Sequence, residues 1–203
     1  MNTMRTAWSV IIFSAVVILA CSHEQSYIPK PRAYPKITFP QKGYQPFHVT
    51  GCPLTFAYPS YATIDENPSN RQSNQQNATC WFDIFFPEFN GRIHCSYVPI
   101  NKPEDLDKYI SDAFEIVDKV NYRSNYSGEE VIHKPDGTGG VVFNFEGPAA
   151  SPVQFFLTDS TEHFFKGSLY FYAKVNPDSI QPIANFIEQD VMELIKTLEW
   201  TDK

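Results

Sequence analysis

The 203-residue chain has no Gly-x-Ser-x-Gly elbow, no Gly-Lys-Ser/Thr phosphate loop, no Cys-x-x-Cys and no His-Glu-x-x-His. Each absence removes a chemistry. Without the first there is no nucleophile perched on a strained turn, and without the second no backbone cradle for a nucleotide phosphate. The last two would carry a redox pair or a zinc site, and the five histidines supply no i,i+4 pair to replace them. No cofactor is expected. Lysine and arginine total 16 against 23 acidic residues and nowhere cluster. That balance argues against nucleic acid or anionic lipid as the main partner. No internal repeat is visible. The apolar run Ala7–Ala20 falls short of the ~20 residues that span a bilayer core.

That short run is informative for what ends it. Arg5 precedes it, and it closes in Ile18-Leu19-Ala20-Cys21, the pattern of a bacterial lipoprotein signal. Residues 1–20 therefore read as a cleaved export signal. Cys21 is the lipidation residue: its thiol takes a diacylglycerol and its freed amine a further chain. At about 0.8 kcal/mol per buried methylene, two or more chains hold a protein stably on a membrane surface. Ser22 follows with no acidic residue beside it, which points toward the outer membrane. Residues 21–46 carry Pro29, Pro31, Pro35, Pro40 and Pro46 with no hydrophobic period, and read as an extended tether. It could reach up to ~75 Å at about 3.1 Å per residue, and its aromatics let part of it pack on the domain.

Residues 47–203 read as one α+β domain, and 42% hydrophobic with 15% aromatic residues is ample for a core of large rings. Strands are expected at 54–58, 81–86, 92–98, 131–133, 141–146, 153–158 and 164–174. Asn90-Gly91 and the Pro135–Gly140 stretch mark hairpins. A polar loop, 65–79, has nothing to bury. Helical periodicity runs through Leu106, Tyr109, Ile110, Ala113, Phe114, Val117 and Val120, after Pro103. It returns through Ile183, Phe186, Ile187, Val191, Leu194, Ile195 and Leu198, with Pro182 expected in the first turn. The order predicts a mostly antiparallel sheet of about six or seven strands carrying two amphipathic helices.

An exported chain meets an oxidising compartment, so Cys52, Cys80 and Cys95 predict one disulfide and one thiol. Cys95 alternates with Ile93 and Tyr97 and reads as a small buried thiol. Cys52 and Cys80 sit at strand edges beside turn residues, positions suited to a staple of roughly 3 kcal/mol. Asp159-Ser160-Thr161-Glu162-His163 holds three triad residue types, but adjacency does not make them converge, and a strand-joining turn accounts for them. Gly137-Thr138-Gly139-Gly140 likewise reads as a turn. Asn144, Glu146, Gly147, Pro148, Ser151 and Pro152 stand in a small-residue loop between aromatic strands. That loop suits contact with another protein, and a tight turn at the sheet edge also accounts for it.

Several segments together resemble the gliding-motility lipoprotein D family (GldD) of Bacteroidetes. They are Cys52-Pro53 with Phe56 and Tyr58-Pro59-x-Tyr61, Cys80-Trp81, and Pro87-x-Phe89-Asn90-Gly91. Asp136–Gly140, Asn144–Pro152, Gln154–Thr161, Phe164-Phe165-x-Gly167-x-Leu169-Tyr170-Phe171 and Thr197-Leu198-x-Trp200 continue them. The resemblance runs from about Pro29 to Trp200, plus the signal. It implies a non-enzymatic accessory lipoprotein, required for gliding motility and linked to type IX secretion. Its partners would be envelope proteins of that complex. It also implies a Cys52–Cys80 disulfide. More loosely, the sheet ending in a helix and a Trp is similar to the Mog1/PsbP-like fold. The alternative is a periplasm-facing lipoprotein that binds a small ligand in a pocket lined by the aromatic strands.

Overall fold

The computed structural model describes residues 36–66, 79–172 and 177–201. Cys21, the first half of the tether and most of the 65–79 loop lie outside them. The α+β reading holds. Seven strands form one antiparallel sheet in the order β4-β5-β6-β10-β9-β8-β7. They are β4 (Thr63–Asp65), β5 (Cys80–Phe86), β6 (Gly91–Pro99), β7 (Tyr126–His133), β8 (Gly139–Glu146), β9 (Val153–Thr158) and β10 (His163–Phe171). The chain lays β4, β5 and β6 in sequence, then crosses the sheet as helix α1 (Pro103–Asn121) to the far edge. From there β7 to β10 fold back by hairpins until β10 pairs with β6, Phe165 opposite Tyr97. Helix α2 (Pro177–Thr197) then returns along the other face.

Local chemistry explains the boundaries. The β5–β6 connection is a 3-10 turn, Pro87–Phe89, closed by Asn90 at φ 47°, a left-handed position that asparagine tolerates. Helix α1 starts with Pro103, whose missing N–H has no partner to lose there. The Asp105 carboxylate accepts the Asn101 and Lys102 amides ahead of it.

Alternation along the strands sends side chains to two faces, and both carry core. On the first face Phe82, Ile93, Tyr97, Val142, Phe155, Leu157, Phe165 and Leu169 pack under α2. There Ile187, Val191, Leu194, Ile195 and Leu198 form the helix stripe. On the second face Phe143, Phe145, Phe156 and Phe164 meet Ala113, Val117 and Val120 of α1. Strand β9 lies between the layers with all six residues buried.

Two elements differ from their expected form. The 54–58 strand is split at buried Phe56 into β2 (Leu54–Thr55) and β3 (Ala57–Pro59). Neither joins the main sheet. Leu54 pairs with Trp200 in β11 (Glu199–Trp200), and β3 pairs with β1 (Tyr44–Pro46). The seventh strand of the sheet is instead β4, too short to show a period. Helix α2 begins at Pro177, so that proline takes the first helical position and Pro182 lies inside the helix. Residues 39–46 pack on the domain, as the aromatics of the tether led one to expect. Phe39 stacks on Phe186 at 4.5 Å, and β1 supplies a strand to the first-face layer.

Candidate functional site

The 144–152 segment is a closed turn. Gly147 has φ +94°, and a Cβ there would meet the Asn125 side chain at 2.7 Å. The Asn125 amide donates to the Glu146 carbonyl at 2.8 Å, and the Phe145 amide to Pro152 at 2.9 Å. Ala149 is buried in the α1 cluster. Ser151 and Pro152 are buried as well, the Ser151 hydroxyl donating to the Val153 carbonyl. Asn144 donates to Glu188 at 2.8 Å from the first face. Of the six residues singled out in this loop, Glu146 and Pro148 are exposed. Cys52 and Cys80 are joined, Cα to Cα 5.3 Å, and Cys95 is the free buried thiol. Burial and the nearby Asp83 charge push the Cys95 thiol pKa well up, which suits an inert core residue.

Two motifs far apart in sequence meet at one end of the sheet. Asp136 and Gly137 line a cleft of about 240 Å³ with Asp159, Thr161, Glu162, His163 and Trp200. Asp136, Asp159, His163 and Trp200 are engaged by their neighbours. Asp159 Oδ1 accepts the amides of Thr161, Glu162 and His163 at 2.9–3.0 Å. Burial raises the Asp159 carboxyl pKa, but those three amides more than offset it and hold it low. The His163 ring stacks on Trp200 at 4.7 Å, its Nδ1 2.8 Å from the Tyr97 hydroxyl and its Nε2 3.9 Å from Asp159. Trp200 Nε1 donates to Thr138. Ser160 is exposed at φ 66°, a turn residue. Gly140 is required because a Cβ would collide with the Phe156 carbonyl.

A third region was missed by sequence reasoning. Helix α1 covers only the β8–β9–β10 half of the second face. Over β5, β6 and the far end of β10 the side chains of this face are half-buried or, at Asp83, Ser96 and the neighbouring Gln154 of β9, buried. Successive rows across the strands place Trp81, Ser96 and Lys166, then Asp83, His94, Ser168 and Gln154, then Phe85, Arg92 and Tyr170. Asp83, with 4% of its side chain exposed, takes His94 Nδ1 at 2.7 Å and Arg92 at 3.3 Å. Arg92 also reaches Asp65 at 3.1 Å and lies 4.2 Å over the Phe85 ring. The Tyr172 hydroxyl lies 3.3 Å from His94 Nε2.

Two groups on this face lack partners. Gln154 is buried, and its Nε2 makes no hydrogen bond. Lys166 forms no ion pair among the described residues; burial lowers its pKa, and the Asp112 charge on α1 only partly opposes this. A signal existed in the sequence: Asp83, Arg92, His94, Ser96, Lys166 and Ser168 are the polar alternates of otherwise apolar strands.

The arrangement defines a disulfide-stapled α+β domain with one closed sheet face and one partly open, charged and aromatic one. Among the described residues no His/Cys/Asp/Glu group could hold a metal ion, and no helix is long and apolar enough to cross a membrane. Residues 24–200 match the family model of the gliding motility lipoprotein GldD, and the chain belongs to that family. It is thus a gliding motility lipoprotein, lipid-anchored in the cell envelope. No curated protein matches the chain.

Proposed function

We propose that this is an accessory lipoprotein of the gliding-motility and type IX secretion machinery, working by contact with envelope proteins and not by catalysis. Lipid on Cys21 anchors it, and the domain faces the periplasm from the outer membrane. The observation that carries the reading is the half-covered second sheet face. Phe85 and Tyr170 stand there half-buried beside Arg92. Aromatic and arginine side chains are enriched where proteins meet. Within the 144–152 segment, Glu146 and Pro148 add a second point of contact.

The small-ligand alternative is less well supported. Ligand pockets usually run to about 300–1,000 Å³. The 240 Å³ cleft is smaller, and the first sheet face is packed with Phe47, Phe56, Phe82 and Phe165.

The test is crosslinking of the tagged native protein in cells, followed by mass spectrometry of what is purified with it. Motility or secretion components should be enriched, and deletion of the gene should abolish gliding. Recovery of bulk envelope proteins alone, with gliding intact in the deletion, would overturn the reading.

A further inference from the structure

The two edges of the seven-stranded sheet are guarded unequally. An open edge pairs with other chains unless it is short, bulged, broken by proline, charged or covered. Strand β4 is three residues long. Strand β7 is eight residues long, Tyr126–His133, and holds no proline. It pairs one-to-one with β8, from Tyr126 opposite Glu146 to His133 opposite Gly139, so no bulge breaks it. Among the described residues no strand lies against its outer side. The Lys134 amide donates to the Thr138 carbonyl at 2.9 Å across the hairpin. Alternation from there turns the backbone groups of Ile132 and Glu130 toward β8 and those of His133, Val131 and Glu129 outward.

Those three outward-facing residues also share a face. Glu129 and Val131 lie opposite Phe143 and Val141, so their side chains stand at the margin of the second face, with His133 beside them. All three are exposed, and Val131, at 62%, is a large apolar side chain left in water. Neither Glu129 nor His133 has an ion-pair partner among the described residues. Charge is the guard this edge has: Glu129 and Glu130 turn away acidic strands and any register that sets like against like.

We propose that β7 pairs antiparallel with β7 of a second copy of this chain, about a two-fold axis through Val131. In that register Val131 faces its own counterpart, Glu129 faces His133 of the second copy, and His133 faces Glu129. The outward backbone groups meet in each of these pairs. The two-fold makes every match twice, placing opposite charges together and covering one exposed valine with the other. Neighbouring registers fail. An axis at Glu130 or at Glu129 sets that glutamate against itself, and like charges directly opposite are destabilising. An axis at Ile132 brings Pro135, which has no amide to donate, opposite Glu129. The two domains then share one continuous sheet, and the half-covered face over β5 and β6 lies toward the other edge, free for other contacts.

Single cysteines report the register in envelopes of cells making the full-length protein. A hydrogen-bonded antiparallel pair holds its Cα atoms about 5.5 Å apart, within disulfide reach. Copper phenanthroline should therefore link Val131→Cys to itself, giving a product of twice the chain's mass. Ser127→Cys, exposed on the same face but far along the strand from its counterpart, should stay unlinked. Cys95 is buried and Cys52 is joined to Cys80, so neither competes. Adding Glu129→Lys to Val131→Cys should cut the linked fraction roughly fivefold, and adding His133→Glu as well should restore it. Restoration by exchanged charges separates lost contact from lost fold.

No linkage at Val131 would overturn the proposal. Equal linkage at Ser127 would do the same, because it marks random collision and not a register. A linked fraction indifferent to Glu129→Lys would remove the charge match on which the choice of a second copy rests. A Val131→Cys product joined to a different protein would show that the edge takes another strand, and the proposal would fail there too.

Discussion

The two faces of the sheet are built from the same strands and the same alternation, yet one is closed by a helix and strands and the other is covered by α1 over half its width. Each leaves one buried side-chain atom unpaired, Asn144 Oδ1 on the first and Gln154 Nε2 on the second. On the first face every layer closes. Helix α2 covers the centre, and β1 to β3 cover the flank. At the seam, the Asp190 carboxylate, 2% exposed, accepts from Lys42 at 2.6 Å, Tyr61 at 2.5 Å and Tyr44 at 3.0 Å. Lys42 also lies 3.5 Å from the centre of the Phe186 ring. Here the end of the tether is clasped to the helix, and each buried polar atom of the clasp has its partner. On the second face α1 stops halfway, Lys166 has no counter-ion and Gln154 keeps an idle donor. A buried charge is tolerated where it is matched, as at Asp190. The difference separates the layer packed on both sides from the layer that α1 covers only in part.

The contrast breaks most visibly in paired substitutions on one strand. Phe165 is fully buried on the first face against Phe56, Phe82 and Phe155, while Tyr170 is half-buried on the open one. Phe165→Ala should cost about 3–5 kcal/mol, the usual loss for a large ring removed from a tight core. Tyr170→Ala should cost under ~1.5 kcal/mol and act on partner recovery instead. Denaturant midpoints at matched slope check both, and equal costs would mean that the open face is as structural as the closed one.

Next in size is the clasp. Asp190→Ala leaves Lys42 and two tyrosine hydroxyls without their acceptor, and an orphaned buried partner costs about 3 kcal/mol. The expected readout includes new protease cleavage after Lys42, since β1 would lose its anchor to α2. Unchanged resistance at Lys42 would show that the β1–β3 pairing alone holds the segment.

How much of this was legible in the sequence follows from which forces are local. The periods of α1, β5, β6, β8, β9 and β10 are written in neighbouring residues, and so is the buried place of Cys95. The fate of Leu54–Pro59 is not, because β11 and β1, which claim its two halves, lie about 145 residues downstream and about 10 upstream. Pro182 misleads for a similar reason. Proline marks a first turn well, but Pro177 already fills that place. The cleft unites Asp136 with Trp200 through tertiary packing alone. Lys166 and Gln154 are polar alternates like any solvent-facing pair, and only tertiary packing leaves Lys166 half-buried and Gln154 buried with an unpaired amide nitrogen.

The smallest effect sharpens the comparison through titration, because Lys166 and the clasp tyrosines respond to alkali with opposite signs. At the clasp, burial and then the Asp190 charge push the Tyr44 hydroxyl up from 10.0 to about 12. Burial and a hydrogen bond to Asp190 push Tyr61 up as well. A group whose folded pKa is raised contributes stability that is complete below its unfolded value and is lost as pH rises through the folded one. The clasp should therefore weaken from pH 10 toward 12. On the open face burial lowers the Lys166 pKa below 10.5, so between the lowered value and 10.5 the unfolded chain binds more protons and stability rises with pH. Asp112, the acidic group facing Lys166 from α1, opposes that rise without cancelling it. Burial raises the Cys95 thiol and the Tyr170 hydroxyl as well, so both add to the fall. Denaturant midpoints from pH 8 to 12 should therefore fall, with Lys166 opposing the fall; Lys166→Met should steepen it and Tyr44→Phe should make it shallower. A Lys166→Met curve no steeper than that of the parent would show that burial of the ammonium does not act on stability.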